Sequence, residues 1–167
     1  MGTMLRFVLP IIFPIGRPLV FAMIRRRLGE IIPLNKLLEI EFDSISDGAS
    51  KASLPFRTAI TNHIGTVHAT AIFGLAEAAS GGAAAGALAP YAASIRPVTA
   101  SASVNFLKAA RGQLTAVGQV AMPPDEIREM LSNKRKVQFD VLVDVFDDSN
   151  VEIANFIFSW HVLLKGR

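Results

Sequence analysis

Hydrophobic and polar positions alternate most cleanly toward the end of the chain. Val137, Phe139, Val141, Val143 and Val145 fall on one parity with more polar residues between them, the period-two pattern of a half-buried strand. Asp147-Asp148-Ser149-Asn150 supplies a turn. Ala154, Phe156, Phe158, Trp160, Val162 and Leu164 then return along one face. Upstream, the same pattern predicts strands over 36–43, 49–56, 101–109 and 113–122, with Ser46-Asp47-Gly48 turning between the first two. Pro123-Pro124 sets off a short helix over 125–131. Between residue 66 and Pro90 the alternation disappears. That stretch is long, apolar and rich in Ala and Gly, and it predicts a helix opening near Thr66 or Val67 and ending at Gly81-Gly82 or before Pro90. Two strands, one long helix and an antiparallel meander make an α+β chain, with five to six strands and one long helix to cover.

The first residues break this order. Residues 5–24 are largely apolar and lead into Arg25-Arg26-Arg27, but Arg6, Arg17, Pro10, Pro14 and Pro18 interrupt them. Prolines at this spacing predict a broken helix. An N-terminal helical arm over residues 1–34, packed on the body or on a partner subunit, explains the segment more simply than contact of residues 5–24 with a membrane surface. Residues 35–167 then form a single domain.

Composition narrows the function classes. Hydrophobic residues make up 51% of the 167 and charged residues only 19%, so an oligomer is a natural way to hide the surplus apolar surface. The absence of cysteine excludes disulfides, thiolate metal sites and a cysteine nucleophile, and it suits a cytoplasmic protein. A net charge of +3 favours an anionic ligand but is too small to argue for nucleic acid.

Charge is scarcest where the helix lies. Glu77 is the one formally charged side chain between Thr58 and Ile95, inside an otherwise apolar helix, where a carboxylate is costly without compensation. An exposed glutamate on a wet helix face is the plain alternative, yet this helix has almost no other polar residue to define such a face. Asn62, His63, Gly65, Thr66 and His68 crowd into the turn before the helix. Free backbone N–H groups there, with the positive end of the helix dipole, can stabilise a developing oxyanion. Ordinary capping by Asn62 or Thr66 is the plain alternative. Ala69 and Glu77 are eight residues apart, about 12 Å along a helix rising 1.5 Å per residue. One helix cannot bring both groups to one carbonyl. Two helices packed antiparallel across a two-fold axis can.

Asn62-His63-Ile64-Gly65-Thr66-Val67-His68-Ala69, followed by Leu75-Ala76-Glu77, resembles the signature of hotdog-fold acyl-CoA thioesterases of the phenylacetic-acid-degradation type, with a DUF4442-like branch as one placement within them. That signature is Asn, two residues, Gly, two residues, His-Gly-Gly, and an acid nine residues after the histidine. Asn62, Gly65, His68 and Glu77 fall in register. Asn105-Phe106-Leu107-Lys108-Ala109-Ala110-Arg111-Gly112 resembles the next strand and its turn, so the likeness runs over roughly 36–164. It implies a hotdog fold, an antiparallel sheet wrapped around one central helix, in an obligate homodimer or a dimer of dimers. It implies hydrolysis of acyl-CoA at the dimer interface, without cofactor. The Ala69 N–H would bind the thioester carbonyl, and Glu77 of the partner subunit would be nucleophile or general base. Asn62 would position water or carbonyl, His68 would brace the turn, and Thr99 would hold the lytic water. Ala69-Thr70 replaces the usual Gly-Gly: Ala keeps the N–H, while Thr70 narrows the groove or adds a hydroxyl, and Gly65 and Thr70 would border the bound substrate.

Coenzyme A brings phosphates, for which Lys108, Arg111, Arg135 and Lys136 are the candidate cations. The three histidines make no metal set, and the glycines lack the Gly-Lys-Ser/Thr ending of a phosphate loop. Two other readings remain. A hotdog hydratase or dehydratase would pair His63 with Glu77, fourteen residues on, although Ile64-Gly65-Thr66 replaces the usual Phe-Pro-Gly. A non-catalytic hotdog dimer would simply bind acyl-CoA.

Overall fold

The protein's computed structural model describes residues 2–165, with the side chains of residues 2–15 outside that description. α1 runs Gly2–Ile31 and α2 Pro33–Leu38. β1 (Glu41–Ser46) and β2 (Ala49–Leu54) form a hairpin. A 3-10 turn, Thr58–Ile60, leads to α3 (Ala69–Ala87), and a second one, Ala89–Ser94, leads to β3 (Ile95–Phe106). β4 (Leu114–Val120), α4 (Pro124–Lys134), β5 (Lys136–Asp147) and β6 (Glu152–Leu164) complete the chain. The six strands form one antiparallel sheet in the order β1-β2-β4-β5-β6-β3, with α3 packed against its inner face.

Small residues let α3 approach the sheet closely. A β-carbon on Gly86 would stand 1.9 Å from the Ser46 carbonyl oxygen, so only glycine fits where the helix crosses the β1–β2 turn. The Ser50 hydroxyl donates to the Ala79 carbonyl, tying β2 to the middle of the helix. Leu54, Leu75, Leu114, Val141, Val143 and Phe158 fill the space between helix and sheet and are fully buried. Arg128 fixes the far end of α3. Its guanidinium donates to the Ala87 carbonyl at 2.8 Å, to Asp47 at 2.7 Å and to Asp125 at 2.6 Å.

Three expectations change. Residues 36–38 do not begin the first strand. Pro33 stands in the first turn of α2, where its missing N–H is no loss, and Glu39 closes that helix in the left-handed region at φ 58°. α2 thereby carries the chain across the 34/35 division. Second, α1 is continuous through Pro10, Pro14 and Pro18. Each proline removes one ladder bond and leaves the rest. Third, α3 opens at Ala69 instead of Thr66 or Val67, because His68 is its N-cap. Of the two predicted ends it takes the later, running through Gly81-Gly82 to Ala87 before Pro90, since glycine weakens a helix without ending one held by close packing. The membrane-contact reading rests largely on side chains 5–15, outside the described residues. Among the described residues, no helix is long and apolar enough to cross a membrane.

Candidate active site

The turn before α3 is held by its own polar groups. Thr61 and Val67 form a bridge, and Asn62 sits just inside it. The Asn62 side-chain oxygen accepts from the N–H groups of Ile64 and Thr66, both at 3.1 Å, and its amide donates to the Thr66 hydroxyl at 2.7 Å. Three of the four hydrogen bonds Asn62 can make are therefore spent on the turn. Gly65 adopts φ +76°, the left-handed conformation that closes it. His63, Ile64 and Gly65 form its exposed tip.

This turn aims the helix. The Val67 N–H donates to Ala110 at 2.9 Å and the His68 N–H to Ile60 at 2.8 Å. His68 is the N-cap: its Nδ1 accepts from the Thr70 N–H at 3.1 Å, which leaves the ring proton on Nε2. Ala69 is the first helical residue. Its N–H has no hydrogen-bond partner among the described residues, and Ala69 and Thr70 are both exposed. A free donor thus stands at the positive end of α3.

Glu77 lies two turns further along, half-buried. Burial pushes its carboxyl above the usual carboxylate range, and a hydrogen bond from Thr99 partly offsets this. That bond is long, 3.4 Å from the Thr99 hydroxyl to Oε1. A β-bulge aims the threonine. Ala102, Val104 and Phe106 pair with Phe158, Phe156 and Ala154 and face α3, as even-numbered residues of β3. The register shifts between Thr99 and Ser101, so Thr99, Pro97 and Ile95 pair with Trp160, Val162 and Leu164 and face the same way. One extra residue, Ala100, has turned Thr99 from the outer face to the inner. Odd-numbered apolar residues before position 100 and even-numbered ones after it are the sequence signal of that switch, and the predicted strand over 101–109 missed it.

The other candidates divide into two groups. Lys108 and Arg111 are exposed on the segment that meets Val67 through Ala110, beside the start of α3. Arg135, in the left-handed region at φ 56°, and Lys136 lie where β5 begins, level with Leu163 and hence with the start of β3. They are at the opposite end of the sheet from Lys108, and one protomer does not unite the four cations. Nor does it pair His63 with Glu77, whose side-chain partner is Thr99. Among the described residues there is no cluster of metal-ligating side chains.

Two surfaces flank Glu77. Toward the C-terminal end of α3, a cavity of about 750 Å³ lies between α1 and α3 and reaches Glu77. Toward the N-terminal end, Phe73, Val104 and Phe106 are partly open to solvent. Beside them runs β3, an edge strand of 12 residues in which every position after Ile95 is exposed.

Known structures share this architecture. A thioesterase family protein from Silicibacter pomeroyi superposes with a TM-score of 0.69 at 21% identity, over 86% of this chain and 98% of that one. The E. coli PaaI protein from the phenylacetic acid degradation operon gives 0.65 at 19% identity, over 84% and 91%. A thioesterase from Staphylococcus aureus, solved as a point mutant, gives 0.66 at 18% identity, over 79% and 99%. At such identities the likeness is one of fold. No protein of curated function matches the sequence. The family described as Domain of unknown function (DUF4442) matches residues 22–162, most of the chain. With a six-stranded antiparallel sheet around one long helix, shared with thioesterase-family structures, the chain has the hotdog fold and belongs to the DUF4442 family.

Proposed function

We propose that this protein hydrolyses acyl-CoA thioesters in the cytoplasm as an obligate homodimer, with each site shared between two subunits. The observation that carries the reading is the pairing of a free Ala69 N–H with a half-buried Glu77 on one helix, about 12 Å apart, beside an unpaired edge strand. Antiparallel pairing of two β3 edges would bring the start of one α3 toward Glu77 of the partner subunit. Such a dimer would also cover Phe73, Val104 and Phe106.

In that site the Ala69 N–H donates to the developing oxyanion, with the α3 dipole behind it. Glu77 of the partner subunit attacks the thioester carbon, the C–S bond breaks to release the coenzyme A thiolate, and water opens the resulting anhydride. Alternatively, Glu77 takes a proton from a water that attacks that carbon, and collapse of the tetrahedral adduct expels the thiolate, which is protonated as it leaves. Thr99 holds Glu77 or that water. Asn62, Gly65 and His68 keep the amide aimed, and Thr70 borders the groove. Lys108 and Arg111, beside the amide, take the phosphates of coenzyme A, and the opposed end of the partner adds Arg135 and Lys136.

The test is complementation. Ala69 is the first helical residue, where proline is tolerated, and the extended His68 before it suits a proline. Ala69→Pro therefore removes the N–H with little change of fold, and it is expected to cost about 10²–10³ in kcat. Glu77→Gln is expected to be inactive on an acyl-CoA panel read with a thiol reagent. Mixed and reannealed, the two variants should recover about a quarter of wild-type activity, since half the dimers are mixed and each mixed dimer has one intact site. No recovery from folded mixed dimers would sink the shared site. Tight acyl-CoA binding without thiol release from any substrate would sink hydrolysis. A His63→Ala loss as deep as that of Glu77→Gln would favour hydration chemistry instead.

A further inference from the structure

We propose that the cavity between α1 and α3 receives the acyl group, and that this group is a long, unsubstituted aliphatic chain. The inference rests on the hydrolase reading for its chemistry. The cavity itself rests on geometry alone.

Glu77 lies on the cavity wall, so the space opens from the candidate reacting group. From there it follows the outer face of α3 past Gly81 and Ala85 to Leu88, with α1 as the opposite wall through Val20, Ile24 and Leu28. Gly81 and Ala85 are one and two turns beyond Glu77, and their small side chains keep the passage open. Ala85 is about 12 Å from Glu77 along the axis, and Leu88 about 16 Å. An extended hydrocarbon advances about 1.3 Å per carbon, given a C–C bond of about 1.5 Å at the tetrahedral angle. Roughly nine carbons reach Ala85, and about twelve reach Leu88.

Volume and lining exclude smaller or polar groups. A cavity of about 150 Å³ already holds benzene, so 750 Å³ would leave a phenylacetyl group loose in mostly empty space. Among the described residues that line the cavity, Glu77 and Arg27 are the only charged ones. The Trp160 N–H is already spent on the Ser80 hydroxyl at 3.3 Å. A hydroxylated or otherwise polar chain would find few partners there and leave its own groups unpaired. Each methylene that displaces water from such a wall is worth about fourfold in kcat/KM.

Trp160 is the only tryptophan and it lines the cavity, so its fluorescence reports occupancy independently of turnover. The wild-type enzyme would be assayed with acetyl-, hexanoyl-, decanoyl-, dodecanoyl-, palmitoyl- and phenylacetyl-CoA below their micelle concentrations. Binding of 5-bromododecanoic acid, whose bromine would lie about 6 Å along the passage beside Gly81 and Trp160, would be followed by quenching of Trp160. We expect kcat/KM to climb through dodecanoyl-CoA and then level off, with phenylacetyl-CoA at least 100-fold below dodecanoyl-CoA. Ala85→Phe, which blocks the passage two turns from Glu77, should lower the dodecanoyl-to-hexanoyl ratio at least tenfold and abolish the quenching. Turnover that favours phenylacetyl-CoA or ignores chain length overturns the proposal while hydrolysis stands. Quenching without turnover supports the chain pocket and removes the hydrolase reading. An unquenched Trp160, as when a partner segment fills the cavity, overturns the chain pocket.

Discussion

The outer face of α3 is treated differently on the two sides of Glu77. Beyond it, Gly81 and Ala85 lie under α1, which roofs a cavity from the same protomer. Before it, Phe73 meets Phe156 and Phe158 edge-on at 5.7 and 5.4 Å but keeps its outward side open. Val104 and Phe106 extend that open surface along β3. The sheet edges repeat the contrast. α1 packs along β1, where Arg25 donates to the Asp43 carbonyl at 3.0 Å, while β3 has no cover among the described residues. An apolar shelf beside a long unpaired edge invites association unless a specific partner covers it. The roofed half is finished within one chain. The open half has the features of a surface completed by a second chain.

The sharpest break falls on the divide itself. Glu77→Gln keeps the shape and removes the charge, and kcat/KM should fall about 10⁴-fold if the carboxylate is nucleophile or base. Stability should move the other way. Burial raises the folded-state pKa of Glu77 above its unfolded value, so between the two values the folded protein holds more protons. Stability is then lost as pH rises through that window. The glutamine variant should melt above wild type at neutral pH and converge with it below the ordinary carboxylate range. A calorimetric pH series that gave the variant the lower melting temperature at pH 7 would contradict this.

Next in size is a charge in the open half. In the proposed dimer Val104→Asp would place a carboxylate on the shelf near its two-fold mate, and it should weaken the dimer enough to cost about 10² in activity at assay concentration. Ile24→Asp, on the roofed side, should lower stability and leave the dimer intact. Sedimentation of the two variants separates the halves directly. If both remained dimeric, the open half would not be the interface.

A smaller effect belongs to the clamp behind the roofed half. Arg128 joins the end of α3 to α4 and to the β1–β2 turn through Ala87, Asp125 and Asp47. Arg128→Met removes these charged hydrogen bonds and leaves the Ala87 carbonyl and Asp47 with fewer donors, a loss of about 2 kcal/mol. For a chain of this length that lowers Tm by about 6 °C. Activity at low temperature should be nearly unchanged, because the clamp is far along α3 from Glu77.

What the sequence revealed follows the range of each signal. The β5–β6 alternation and the apolar run of α3 are local signals, and both elements formed, α3 starting two to three residues later than read. Asn62, Gly65 and His68 form one turn, because a turn is also local. The clamp joins residue 47 to residue 128, a long-range contact that no window of the sequence displays. The cavity needs α1 folded back over α3, and the proline spacing argued against an unbroken α1. The Ala100 bulge is intermediate. Its parity switch is written in the sequence, but it becomes visible only once β6 fixes which parity faces inward.

That bulge sets the finest test of the divide. Thr99→Val keeps the side chain's shape on the inner face and removes the hydroxyl that donates to the Glu77 carboxylate. If Thr99 only orients the carboxylate or its water, kcat should fall about tenfold, well short of the loss in Glu77→Gln. The pH profile carries the more specific signature. The Thr99 hydrogen bond stabilises the ionised carboxylate and lowers its pKa, against the rise caused by burial. Without it the Glu77 pKa climbs further, and the acidic limb of kcat/KM moves to higher pH. A packing role alone would lower the rate and leave that limb in place. Deleting Ala100 goes further, returning Thr99 to the outer face, and the limb should then match that of Thr99→Val.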